Sequence, residues 1–392
     1  MTIQHTLDLE TEFVNSFGVA AEGKVRAPGR VCLIGEHADY NRGYVLPAAL
    51  DKSVTVSFRV RRDTHVRVRS LLYPDYIDSF DVAHEVSRCP HAWANYVRGV
   101  FYITKQYGFT YNNGLDLLIS SNLPTDAGLA SSGAMSTAVT GALKKALALP
   151  ISMRSLALIA EKAENDFFGR ACGVMDPLAA ALCKKDHLLL IDCKDFEFRQ
   201  ILLPDNLVIV VFNSCAHKDL QGHEFNELRK ACERAAFDMN VESLRHATLK
   251  DLQSHKKKLD EAAYRCALHI ITEDERTRQL IDSLAHSDFQ DVYRLMNESY
   301  DSARTNFHNT IPEIDTLVGL CRNHLPGNVG ARMTGGGFGG SVIALCDRDS
   351  APSLRENVTQ QYMERFGVKM PSYICRPSNG LQVAWNRQSK NE

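Results

Sequence analysis

The residues best suited to chemistry in this 392-residue chain are concentrated between positions 26 and 41. Arg30, Glu36, His37 and Asp39 are spaced there by glycines, and an apolar run just before the polar residues is typical of a buried strand. Carboxylates and an imidazole can hydrogen-bond several hydroxyl groups at once. The stretch therefore predicts a sugar-binding loop at a strand end, with a capped turn bearing surface charges as the alternative.

A second candidate is the segment 124–135, Pro-Thr-Asp-Ala-Gly-Leu-Ala-Ser-Ser-Gly-Ala-Met. It follows a strand-like run at 115–120 and precedes a helical stretch that reaches about residue 149. Small side chains let phosphate oxygens approach main-chain N–H groups, and a helix N-terminus adds partial positive charge. Ser131 and Ser132 could bind phosphate or magnesium, although no Walker Gly-Lys-Ser/Thr is present. An ordinary serine-capped helix is the alternative.

A third segment, 330–341, contains five glycines in the six positions 335–340 and leads into a strand-like run at 342–345. Glycine permits very close backbone approach, so together with the first two segments it indicates a loop that closes on a ligand site. Alone, it is equally consistent with a glycine hairpin before a buried strand.

These three segments, in this order and at these separations, resemble the galactokinase branch of the GHMP kinase superfamily. The resemblance extends over essentially the whole chain. It includes the shorter matching segments 93–96, 172–176, 186–193, 271–276 and 295–299. It implies an α+β, two-domain GHMP kinase fold with the active site in the cleft between the domains.

The resemblance also implies roles for individual residues. Asp176 would either accept the proton of the attacking sugar hydroxyl or mainly orient and stabilise that hydroxyl. Arg30 would keep Asp176 ionised and help neutralise the transferring phosphoryl group. Glu36, His37, Asp39, Gly173 and Phe225 would form the sugar site. Locally, however, Asp176 followed by Pro177 is also the pattern of a helix N-cap with proline at the first helical position.

The same resemblance places ATP and Mg²⁺ in the site. Ser132 and Glu164 would be magnesium ligands, since Mg²⁺ takes few protein oxygens beside phosphate and water. A solvent-facing glutamate on an amphipathic helix is the alternative for Glu164. The expected nucleotide-binding residues are Gly128, Leu129, Ala130, Ser131, Ser132, Gly133, Trp93 and Asn95, although Trp93 could equally be a core residue.

Several positions depart from the usual family pattern. Asp126 stands where glycine is normal, Ala130 and Gly133 replace serine and alanine, and Phe225 replaces tyrosine. The segment 303–310 also differs from the usual Leu-Arg-x-x-Tyr-Glu-Val-Ser. The implied activity is phosphorylation of galactose at the anomeric hydroxyl. The alternatives are a kinase for an N-acetylhexosamine, a uronic acid or arabinose, and a non-catalytic galactokinase-like sensor of sugar and nucleotide.

The elements that would hold these residues follow from the pattern of apolar residues. Residues 53–70 alternate as a strand or hairpin, 153–168 have helical spacing, and 207–212 begin another strand. We expect an N-terminal domain at 1–198 with the sugar loop, phosphate loop and Asp176, and a C-terminal domain at 199–392 with the glycine-rich segment.

Composition agrees with a small-molecule enzyme. A net charge of −2 with interspersed signs gives no footprint for nucleic acid or a membrane surface, and no apolar run is long enough for export or a membrane span. Eleven cysteines without CxxC or zinc-like spacing favour reduced thiols and a cytoplasmic location. The expected partners are a sugar and ATP, and the sequence leaves the oligomeric state open.

Overall fold

The strands of the chain form three sheets in a computed structural model that describes residues 8–124, 127–169, 172–217 and 223–385. Within these ranges the strands are β1 Gly23–Cys32, β2 Tyr44–Val45, β3 Pro47–Val60, β4 His65–Ser70, β5 Tyr73–Asp81, β6 Leu115–Ser121, β7 His187–Asp192, β8 Glu197–Leu202, β9 Leu207–His217, β10 Val329–Thr334, β11 Gly339–Asp347, β12 Ser372–Cys375 and β13 Gln382–Trp385. The six-stranded sheet has the order β13-β1-β3-β6-β4-β5, the four-stranded sheet β10-β11-β9-β12, and the three-stranded sheet β2-β7-β8.

Helices pack on these sheets, and several of the helices begin at a polar N-cap residue. The α-helices of the described residues are α1 Leu9–Phe17, α2 Ala92–Gln106, α3 Ser131–Ala146, α4 Met153–Lys162, α5 Met175–Leu182, α6 His223–Asp238, α7 Leu249–His255, α8 Glu261–Ala285, α9 Phe289–Ser302, α10 Pro312–His324 and α11 Ala351–Phe366. Ser152 and Asp260 accept backbone N–H bonds at the starts of α4 and α8, which satisfies donors that have no partner inside the helix. No helix in these ranges is long and apolar enough to cross a bilayer.

Most of the expected elements are present. The run at 115–120 is β6, the helix after it is α3 and ends at Ala146, and the strand expected from 207 is β9. Residues 153–168 form α4 and then one π-helical stretch, Ala163–Phe168. The mixed helix and sheet content confirms the α+β class.

Residues 53–70 do not form a hairpin. They belong to β3 and β4, but β6 lies between these two strands and pairs antiparallel with β3 and parallel with β4. The alternation of side chains is local, whereas the partner of each strand depends on distant parts of the chain.

The two halves of the chain share structure across the expected boundary at 198/199, which falls inside β8. One buried apolar cluster contains residues of both halves, among them Leu189 and Leu345. Near the C-terminus, β13 returns to pair with β1 in the six-stranded sheet. The division into domains at 198/199 stays a prediction.

Candidate active site

Arg30 lies at a bulge in β1 and connects two of the expected site segments. The register of β1 against β3 shifts between Pro28 and Arg30, which redirects the arginine side chain. Its Nε donates to Oδ1 of Asp176 over 2.7 Å, and Nη1 donates to the Gly128 carbonyl over 2.7 Å. The guanidinium is almost fully buried. One cation therefore contacts both the carboxylate and the phosphate loop.

Asp176 lies in the first turn of α5, not at its N-cap. The helix begins at Met175 and its N-cap is Val174, so the interpretation of Asp176 as the capping residue is wrong. The Asp39 carboxylate lies near the start of the same helix, where the backbone N–H of Met175 lowers its pKa. The Asp176 side chain is 24% exposed, so it stays accessible beside a buried arginine.

The Asp39 carboxylate packs directly against the backbone of Gly173. A Cβ at Gly173 would lie only 1.5 Å from Oδ2 of Asp39, so no other residue fits without moving the carboxylate. Burial, together with the nearby charge of Asp176, raises the pKa of Asp39 to about 6. The structure thus places two carboxylates and the Gly173 backbone together.

Glu36 is buried between the sugar loop and the glycine-rich segment. Its Oε1 accepts from the Thr334 hydroxyl over 2.9 Å and from the Gly335 backbone N–H. Its Oε2 lies 3.4 Å from Arg332 and has no hydrogen-bond partner among the described residues. Burial raises the pKa of Glu36 to about 7, and Arg332 offsets only part of that effect.

Arg332 and Glu273 were not identified as site residues from the sequence. Glu273 accepts the Gly35 backbone N–H over 2.9 Å and the Ser299 hydroxyl over 2.6 Å, and it pairs with Arg276. Burial alone would raise the pKa of Glu273, but Arg276 and Arg332 outweigh it and lower the pKa to about 2. The segments 271–276 and 295–299 belong to the family resemblance, but no local pattern in them indicates which residues would meet.

His37 is enclosed by aromatic rings. Its ring centroid lies 5.3 Å from that of Phe225 and 4.7 Å from that of Phe307. Nδ1 lies 3.0 Å from the Tyr40 hydroxyl. Burial and the charge of Arg332 lower the pKa of His37 to about 4, so the ring is neutral at physiological pH. Phe225, from α6, thus contacts the loop that carries His37.

The phosphate loop has the backbone geometry of a close-approach site. Gly128 and Ala130 have φ of 70° and 60°, and α3 starts at Ser131. A non-glycine residue in the left-handed region stores strain, which is common at functional loops. A Cβ at Gly133 would lie 2.9 Å from Cβ of Asp176, so the first turn of α3 packs directly on α5. Leu129 is buried beside them. Asp126 lies outside the described residues.

The glycine-rich segment contacts this loop through the backbone. A Cβ at Gly335 would lie 2.9 Å from the Gly128 carbonyl oxygen, and one at Gly340 would lie 3.3 Å from that of Ala127. The Ser341 hydroxyl donates to the same Ala127 oxygen over 2.7 Å. The glycine-rich segment therefore packs directly on residues 127–128, and its closure on a ligand site stays a prediction.

The expected magnesium ligands have the chemistry for that ion. Glu164 is buried in the π-helical stretch, and Ser136 donates to its Oε1 over 3.4 Å. Ser132 lies one helical turn before Ser136 on α3, so both hydroxyls are on the same helix face. Oxygen donors beside a phosphate loop suit Mg²⁺. No group of three or more His, Cys, Asp or Glu side chains in the described ranges could hold a metal without a nucleotide.

Trp93 and Asn95 are at the start of α2. The Trp93 ring stacks on Tyr73 with centroids 5.8 Å apart, and its buried Nε1 has no hydrogen-bond partner within the described ranges. Asn95 uses both ends of its amide on the backbone of Cys89, with two bonds of 2.8 Å. An aromatic surface is therefore present, while the Asn95 amide is engaged in holding the preceding loop. Adenine binding by either residue stays a prediction.

Comparison with known proteins agrees with this geometry. Residues 11–60 match the galactokinase galactose-binding signature, 95–184 the GHMP kinases N-terminal domain, and 280–364 the GHMP kinases C-terminal region. The structure is similar to Lactococcus lactis galactokinase complexed with galactose, with 29% identity, 95% of this chain and 98% of that chain covered, and a TM-score of 0.91.

More distant structures share the fold. Mevalonate kinase from Methanococcus jannaschii is 17% identical, with 91% and 98% of the two chains covered and a TM-score of 0.63. Homoserine kinase from Cytophaga hutchinsonii is 16% identical, with 92% and 97% covered and a TM-score of 0.61. These two matches extend over both halves of the chain.

Proposed function

Because the chain belongs to the GHMP kinases and carries the galactokinase galactose-binding signature, we propose that it transfers the γ-phosphoryl group of ATP to the anomeric hydroxyl of galactose. The observation that carries this proposal is the position of Arg30. It bonds the Asp176 carboxylate and the phosphate-loop carbonyl of Gly128 at the same time. A sugar hydroxyl on Asp176 would therefore lie next to the phosphates.

Asp176 accepts the proton of the attacking hydroxyl in this mechanism. Its lone pairs are available because only one oxygen is used by Arg30, and the side chain is partly exposed. The oxygen of the hydroxyl attacks the γ-phosphorus, the bond to the β-phosphate oxygen breaks, and ADP leaves. Arg30 stabilises the charge that spreads over the phosphoryl oxygens.

The other site residues bind and orient. The sugar pocket is lined by Glu36, His37, Asp39 and the Gly173 backbone, and Phe225 packs against it. The backbone of 128–133 and the N-terminus of α3 hold the phosphates, because unpaired N–H groups there favour negative charge. Ser132 and Glu164 would hold Mg²⁺, which neutralises phosphate charge when bound.

The proposal also includes the division into domains and the location in the cell. We place the active site between an N-terminal domain at 1–198 and a C-terminal domain at 199–392. We also assign the protein to the cytoplasm, since all eleven cysteines lie in the described residues and each is a free thiol, as expected in a reducing compartment.

The test is an ADP-release assay with a panel of free sugars, followed by identification of the product. Galactose should give galactose 1-phosphate, and 1-deoxygalactose, which lacks the attacking hydroxyl, should give no product above background. Phosphate on the primary hydroxyl would overturn the assigned orientation of the sugar. Binding of sugar and nucleotide without product would favour the sensor alternative, and faster turnover of an amino sugar, uronic acid or arabinose would favour the related kinases.

A further inference from the structure

Asn309 is a buried polar residue that the mechanism above does not use, and it faces His37 from the opposite half of the chain. Its Nδ2 lies 3.1 Å from Nε2 of His37, although the two residues are 272 positions apart. Its backbone carbonyl accepts the N–H of Phe338 over 2.7 Å, which fixes its main chain to the glycine-rich segment. Only 1% of Asn309 is exposed.

We infer that Asn309 is a positioning residue for sugar recognition, which holds His37 as a neutral ring with its proton on Nδ1. This inference rests on the proposed function, because it assumes that the pocket beside His37 and Tyr40 binds a sugar. An amide NH₂ group can only donate, so Nε2 of His37 must accept. The single ring proton is then on Nδ1, and it is donated to the Tyr40 hydroxyl oxygen 3.0 Å away.

Few other groups near the His37 ring could determine which of its nitrogens carries the proton. Phe225 and Phe307 contact the ring but carry no polar group. The Gly336 carbonyl also attracts a ring proton, so it competes with Asn309 for the tautomer. The Asn309 amide meets hydrogen-bond geometry with the ring nitrogen, and a Cβ at the neighbouring Gly337 would lie 2.8 Å from its Nδ2, so the amide is tightly confined.

The assignment has a consequence for the sugar pocket. If the oxygen of Tyr40 accepts from His37, the phenolic proton of Tyr40 remains available for a sugar oxygen. The Tyr40 and Phe225 rings are in contact, with centroids 5.7 Å apart. Tyr40 then supplies a donor in a pocket where Phe225 has none, and Asn309 controls that donor through His37.

The position of the His37 ring proton follows here from its hydrogen-bond partners, and it can be measured directly by NMR. Long-range proton–nitrogen spectra of the histidine rings should show His37 protonated on Nδ1, with its signals assigned by their loss in His37→Gln. Asn309→Val removes the amide donor, and Asn309→Asp, which is nearly isosteric, replaces it with an acceptor. The first should give a mixture of tautomers and the second a proton on Nε2.

Kinetics should separate positioning from catalysis. In Asn309→Val we expect KM for galactose to rise about tenfold, the effect of one lost hydrogen bond to a buried group, with kcat changed less than about twofold. Asn306→Val is the matched control, because Asn306 lies in the adjacent π-helical segment and donates to Ser302 instead. It should leave both KM and the His37 spectrum unchanged.

An Nδ1 proton that persists in both Asn309 variants would overturn the inference, and so would a fall in kcat at unchanged KM. If the valine variant fails to fold, the aspartate variant still decides, since it keeps the size of the side chain. The tautomer measurement needs no turnover. A wild-type protein that does not phosphorylate galactose would therefore reject the proposed function without deciding the role of Asn309.

Discussion

Removal of the charge at Asp176 should separate chemistry from folding. Asp176→Asn keeps the size of the side chain and an oxygen that can still accept from Arg30, whose Nε lies 2.7 Å from Oδ1 in the wild type. It removes the carboxylate that takes the proton of the sugar hydroxyl. General-base catalysis contributes about 10²- to 10⁴-fold, so we expect kcat to fall by that factor, or about 3–5 kcal/mol in activation free energy.

The expected effect of this change on folding is much smaller. The Asp176 side chain is 24% exposed and is not the cap of α5, so the loss is that of one partly solvated ion pair, about 1 kcal/mol. The assay is steady-state ADP release at saturating galactose and MgATP, with calorimetry of galactose binding and a thermal melt on the same sample. Binding should be retained and the melting temperature should change by a few degrees only.

Asp186→Asn provides the control. Asp186 also accepts from an arginine, with Nε of Arg376 at 2.9 Å and a side chain 34% exposed, but it lies outside the site residues. It should retain the parent kcat. An Asp176→Asn protein that turns over within about tenfold of the parent would refute a proton-accepting role for Asp176.

Four further changes test other parts of the site. Glu36 has a pKa raised from 4.5 to about 7, so the folded state binds more protons in that range. The stability of the wild type should therefore fall relative to Glu36→Gln as pH rises from 4.5 to 7, by about 3 kcal/mol in urea titrations. Gly133→Ala adds a Cβ only 2.9 Å from that of Asp176, so kcat should fall by about tenfold as the carboxylate shifts. Glu164→Gln should raise the Mg²⁺ concentration needed for half-maximal activity by about tenfold or more. Phe225→Tyr adds a hydroxyl to the pocket, so relative kcat/KM among galactose, its 2-amino derivative and uronic acids should change more than kcat itself.

Each of these expectations has a contrary outcome. If the stability of the wild type rose relative to Glu36→Gln as pH increased, the raised pKa of Glu36 would be contradicted. Gly319→Ala is the control for Gly133→Ala, because nothing lies within 4 Å of a Cβ there, and equal losses of kcat in both variants would exclude the contact with Asp176. An unchanged magnesium requirement would remove Glu164 from the metal site. A sugar profile identical to the parent's would show that Phe225 does not affect substrate choice.

Much of the site could be predicted from the sequence because it depends on local chemistry. The strand, small-residue loop and helix around residues 115–146 follow from apolar runs and glycine, and they are β6 and α3 in the structure. The turn at Gly35, with φ of 94°, has a conformation that other residues rarely adopt. The family resemblance, carried by motifs in a fixed order, then predicted which polar residues would share the site.

The tertiary structure decided which groups are partners, and these pairings have no local signal. Arg332 pairs with Glu36 across two halves of the chain, and Asn309 meets His37 in the same way. Asp176 is not the cap of α5, and Asp39 of the sugar loop lies beside the Met175 backbone at the start of that helix. Composition and spacing specify the conformation of each segment, whereas a buried polar group takes its partner and its pKa from whichever segment the fold packs against it.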